Sequence, residues 1–131
     1  MDNLKLVIVG SEEKYWDEFT TPLAKALISY IVSHYQKSLN SRITFISGGC
    51  PKGGIDIWAQ EEFERQKVDY LIYKPRVNKW SGNGGYKHRN MMMAQDADII
   101  IDIEPGQRNS GGYWTLNYGR SIGKKGEVIR I

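Results

Sequence analysis

Four glycines, a lysine and a cysteine fall within Gly48–Gly54, between an apolar run ending at Ile46 and a helix-period segment opening at Ile55. These residue types suit anion capture. Glycines let main-chain N–H groups approach a ligand with no Cβ in the way. A helix starting just beyond adds unpaired N–H groups and the positive end of its dipole. Lys52 adds a mobile charge. Gly48, Gly49, Lys52, Gly53 and Gly54 are therefore candidate phosphate-binding residues. The spacing is neither that of a P-loop nor that of the dinucleotide-binding glycine fingerprint. Two further turns share the character: Val9-Gly10-Ser11, and Ser110-Gly111-Gly112 ahead of the last helix-period segment. A lone glycine turn is equally well explained by tight packing. Two at one sheet edge favour a shared anion spot, with the amides of Gly48–Gly54 and Gly111–Tyr113 converging on it.

Several other side chains carry chemistry. Asp56 sits in the first turn of its helix, where an acid serves the dipole or contacts a ribose or base. Asp102 and Glu104 fall on one side of a strand by alternation. Glu104 reads as a solvated strand end, whereas Asp102 interrupts an apolar run and is a candidate ribose, metal or catalytic group. Arg89 is suited to bidentate phosphate pairing, and Asn90 to a base or a turn. Trp80 lies in a basic, glycine-bearing loop, Lys74–Gly85, and reads either as a base-stacking lid or as a core-edge ring. Tyr113 is placed near the pocket; Trp114 and Met91–Met93 read as core. Cys50, near a helix start, is a turn residue rather than a nucleophile. His88 has no second ligand at metal spacing, and His34 is a helix-surface residue.

The elements that must position these groups are legible as alternation. Short runs rich in Val and Ile occur at Leu4–Val9, Ile43–Ile46, Val68–Tyr73, Ala97–Ile103 and Glu127–Ile131. Near-continuous apolar runs indicate strands buried on both faces. Between them, helices are expected over Pro22–Gln36, from Ile55, over Tyr86–Gln95, and through Trp114, Tyr118 and Ile122. In the first, Leu23, Leu27, Tyr30 and Ile31 share a face and Thr21 is the cap. Strand–helix alternation of this kind implies one α/β domain spanning residues 1–131, a three-layer, doubly wound parallel sheet whose ligands bind at the carboxyl edge.

Bulk properties exclude other classes. The chain has 131 residues, 40% of them hydrophobic and 25% charged, which fits a globular domain and not disorder or a coiled coil. Net charge is +3, which favours an anionic ligand but is modest for a dedicated duplex-DNA binder. One cysteine excludes an internal disulfide and a cysteine-rich zinc site. No signal peptide or long apolar span is read, so a cytoplasmic setting without membrane contact is expected. No pattern demands a cofactor; Mg²⁺ accompanying a bound nucleotide is left open.

The blocks also resemble the Rossmann-like superfamily that joins the DNA-processing protein DprA to the Lonely Guy (LOG) phosphoribohydrolases, known as SLOG, and within it the small single-domain members. Gly10-Ser11 resembles the opening turn. Ser47-Gly48-Gly49 with Lys52-Gly53 and Asp56 is similar to the glycine block entering a helix, followed by the small Ala59. Arg89-Asn90 with Met93 is similar to the block before strand four, and Gly111-Gly112 with Thr115 to the late glycine segment. The resemblance implies strand order 3-2-1-4-5, a nucleotide pocket at the carboxyl edge, and self-association as a homodimer. This chain departs from the pattern in having one extra residue between Lys52 and Asp56 and Tyr113 after Gly112. It has no acid between Tyr113 and Gly126, where the phosphoribohydrolases carry a glutamate.

The leading expectation is a module that binds a nucleotide or a nucleotide-derived ligand. An N-glycosidic-bond enzyme, hydrolase or deoxyribosyltransferase in type, is the alternative. It needs a carboxylate beside the sugar, a role open to Asp102 or Asp56. Single-stranded DNA binding in the manner of DprA is the third, and the modest charge weighs against it.

Overall fold

The computed structural model describes residues 3–39 and 42–131. Five parallel strands form one sheet: β1 (Leu4–Gly10), β2 (Ile43–Ser47), β3 (Tyr70–Ile72), β4 (Ile99–Glu104) and β5 (Lys125–Arg130). Their spatial order is β3-β2-β1-β4-β5, so β1 is central and the order reverses between β1 and β4. Four helices connect them: α1 (Thr20–Leu39), α2 (Ile55–Gln66), α3 (Tyr86–Asp96) and α4 (Gly111–Ser121). A 3₁₀ turn, Glu13–Tyr15, precedes α1 and had no sequence signal.

Alternation along the strands divides the core in two. Leu6 and Ile8 of β1, Phe45 of β2, and Ile101 and Ile103 of β4 pack under α1 and α2. Val7, Val9, Ile46 and Ile100 pack under α3 and α4, against Met93, Ala94 and Leu116. Leu6, Ile8, Phe45 and Phe63 are fully buried, and burial of each such side chain is worth roughly 1.5–3 kcal/mol. The doubly wound architecture is thus a consequence of strands that are apolar on both faces.

Local readings needed correction. Helix α1 buries Ala24, Ile28, Ile31 and Val32, whereas Leu23 and Tyr30 are 56% and 64% exposed. The buried stripe is offset from the expected one: Ala24, and not Leu23, faces the sheet with Ile28, Ile31 and Val32. Thr21 is not the cap. Asp17 Oδ1 accepts from the N–H groups of Phe19 and Thr20, which starts the helix earlier. Of the methionine cluster only Met93 is core, while Met92 is 46% exposed.

Candidate functional site

The carboxyl edge is built around a tight approach at Gly10. A Cβ there would lie 2.5 Å from Ile55 Cγ1 on one side. On the other, a Cβ on Gly112 would lie 2.6 Å from the Gly10 nitrogen and 2.8 Å from Asp102 Oδ1. The first residues of α2 and α4 therefore close on the end of β1 from opposite faces of the sheet. This is possible only because these positions lack side chains. The Ile55 N–H donates to the Ser11 carbonyl and ties α2 to the same turn.

Between the two helix beginnings lies a cleft of about 310 Å³. Its wall includes Gly10, Lys52, Gly53, Asp56, Arg89, Asn90, Gly111 and Gly112 from the sequence-derived set. Ser11, Gly48, Gly49, Gly54, Tyr113, Thr115 and Asp102 lie outside that wall. Gly48, Gly49 and Gly54 instead shape the turn. A Cβ on Gly48 would meet the Arg89 guanidinium at 2.4 Å, and Gly49 and Gly54 have φ of +58° and +76°. Thr115 donates back to the Gly111 carbonyl at 2.8 Å within α4. Tyr113 is half-buried, with the Arg130 guanidinium 5.4 Å from its ring.

The carboxyl groups divide by environment. Asp102 is fully buried beneath Gly112, and among the described residues neither of its oxygens has a hydrogen-bond partner. Burial first, and the neighbouring Glu104 second, push its carboxyl up to about 10, so it is neutral at pH 7. Glu104 is not a solvated strand end. It is fully buried and accepts hydroxyls from Ser11 and Ser110. Ser110 in turn caps α4 by accepting from the Gly112 N–H at 3.0 Å. Asp56 reaches the cleft wall, and its Oδ2 accepts from the Cys50 N–H at 3.2 Å. Burial raises its carboxyl above the usual range, although Arg89 and the Cys50 N–H oppose this. Cys50 also lines the cleft, and burial raises its thiol rather than lowering it.

Arg89 holds the protein rather than facing outward. Its Nη1 donates to the carbonyls of Gly48 and Tyr73 at 2.6 and 2.9 Å, and its Nε to Asn90 Oδ1 at 2.7 Å. Asn90 passes the link on, with its Nδ2 3.4 Å from the Gly111 carbonyl. The pair joins the β2 turn to the start of α4.

The loop over Lys74–Gly85 is pinned, not loose. Arg76 and Val77 donate to the Gly84 carbonyl, Tyr86 to that of Lys79 and Lys87 to that of Trp80, while His88 Nδ1 accepts from the Gly84 N–H. It carries Asn78, Lys79 and Trp80 to the cleft. Trp80 is 42% exposed and meets Trp114 edge-on at 5.5 Å. Trp114 is half-buried, not core.

Sequence reasoning missed Glu12, Asn78, Lys79, Tyr86, Ser110 and Arg108 on the wall. Ser110 had a signal, a serine just ahead of a helix-period segment. Arg108 had none, because it sits in an irregular segment after β4. Among the described residues no cluster of three or more His, Cys, Asp or Glu side chains could hold a metal ion. Among the described residues no helix is long and apolar enough to cross a membrane.

Fold and cleft together define a Rossmann-like α/β domain with its pocket at the switch point between β1 and β4. Neither protein-family models nor curated proteins yield a match to the chain.

Proposed function

We propose that the cleft binds the phosphate of a nucleotide or nucleotide-derived ligand, and that the chain is a sensor or carrier module of the SLOG type its motifs resemble. One relationship carries the reading: the beginnings of α2 and α4 open on a single cleft at the strand-order switch. Helix starts and glycine amides are suited to anions. Lys52, Lys79 and Arg108 line the same space, and its volume is near the low end of small-molecule sites. The Trp80 indole supplies a stacking face for a base, and the Asn78 amide a hydrogen-bonding group. Thermal-shift measurements with nucleoside mono-, di- and triphosphates and NAD derivatives test it. At least one is expected to raise the melting temperature, with stabilisation growing as the logarithm of ligand concentration above its Kd. A flat response across the panel defeats the proposal.

A second reading is an N-glycosidic-bond enzyme. It is favoured by Asp56, a carboxyl on the cleft wall whose raised pKa suits an acid. Asp102, beneath the glycines, is the poorer candidate. Incubation with nucleoside 5′-monophosphates and chromatography for free base separates this reading from simple binding.

A further inference from the structure

We propose that Arg108, and not Arg89, is the guanidinium that reads the ligand's phosphate; the inference rests on the phosphate-binding reading above. Both arginines reach the cleft wall, but they are held in opposite ways. Arg89 is 7% exposed, and its Nε and Nη1 are engaged with Asn90 and two main-chain carbonyls. A ligand would have to compete with those bonds. Arg108 comes from the irregular segment between β4 and α4. Its Nε donates to Ser11 Oγ at 3.1 Å, and its terminal nitrogens have no protein acceptor among the described residues.

The Arg108 guanidinium is also oriented. Its Cζ lies 3.2 Å from the centroid of the Tyr15 ring. A guanidinium stacked on a ring and tethered at Nε keeps its plane, so its free edge needs little ordering when a ligand arrives. That edge presents two parallel N–H groups, which match two oxygens on one phosphorus. The tether is itself anchored. The Ser11 hydroxyl that accepts from Arg108 donates to buried Glu104, which also takes the Ser110 hydroxyl at the α4 cap. The fork is thus indexed to the helix start on which the phosphate would sit. Lys52 and Lys79 on the same wall favour phosphate over a singly charged carboxylate.

The test uses the full chain and two probes, inorganic phosphate and adenosine 5′-monophosphate, titrated calorimetrically alongside thermal melts. Arg108→Lys keeps the charge and loses the fork. It is expected to weaken both probes by about tenfold or more at unchanged melting temperature. Tyr15→Phe, which keeps the stacking face, is expected to bind as wild type, and Tyr15→Leu to bind more weakly. Arg89→Lys is expected to lower the melting temperature. Wild-type affinity in Arg108→Lys overturns the assignment while leaving the phosphate reading intact, and so does equal binding by both Tyr15 variants. Where another nucleotide of the panel is the one that binds, the same variants are titrated with it under the same criteria; a wild-type chain that binds neither probe nor any panel nucleotide overturns both.

Discussion

Glu104 accepts the Ser11 hydroxyl through one carboxyl oxygen and the Ser110 hydroxyl through the other, each at 2.5 Å. The end of β4 thereby braces the turn after β1 against the cap of α4. Ser110 lines the cleft, and Ser11 adjoins Gly10, which does. The brace therefore sets the distance between the Gly10 turn and the start of α4.

Glu104→Ala leaves the buried Ser11 hydroxyl and the half-buried Ser110 hydroxyl without their acceptor. An unpaired buried polar group costs about 1–3 kcal/mol, and only Ser11 is buried, so a loss of roughly 1–3 kcal/mol is expected. Urea unfolding measures it. An unchanged midpoint would show that the brace holds nothing.

Asp102 should make stability depend on pH. Its folded pKa, about 10, lies far above the ordinary 3.8, so between those values the folded chain binds a proton that the unfolded chain has released. Stability from this group is fully present below the unfolded value and falls as pH rises toward 10. Asp102→Asn cannot titrate. The expected result is a wild-type melting temperature that drops from pH 5 to pH 9, and a smaller drop in the variant. Parallel pH curves for the two proteins would contradict the assignment.

Gly112→Ala places a Cβ 2.6 Å from the Gly10 nitrogen. Main chain cannot yield as a flexible side chain can, so α4 must move off β1. A loss of about 1–3 kcal/mol is expected, with weakened nucleotide binding. Asn117→Ala, at an exposed site on the same helix, is the control and should be near neutral. Equal stability of the two variants would refute the close approach.

Trp80→Ala removes a half-exposed ring from the cleft mouth. Stacking on an aromatic is worth about 1–3 kcal/mol per base, so adenosine 5′-monophosphate should bind roughly tenfold more weakly. Inorganic phosphate should bind as before, since it has no base to stack. A variant that loses both probes equally would point to collapse of the loop instead.

Much of the fold was legible because its signal is local. Runs such as Ile99–Ile101 are apolar at consecutive positions, and only a strand covered on both faces accommodates that. The phase of α1 was not legible. Leu23 and Ala24 are both apolar, so residue type did not say which of them faces the sheet, and the fold buries Ala24. At the site, the glycine turns stood out by composition. Glu104 and Arg108 did not, because the partners that define them, Ser11 and Tyr15, are more than ninety residues away in the chain.

The sequence alone determined the class of architecture, the order of its elements and the position of the glycine turns, since each depends on neighbours a few residues apart. Tertiary structure alone decided which charged groups face the cleft. Arg89 was drawn inward to main-chain carbonyls, Asp102 was sealed under Gly112, and Arg108 was left with donors free. Charge and hydrogen-bonding state follow from burial and from partners across the sheet, and residue type does not encode either.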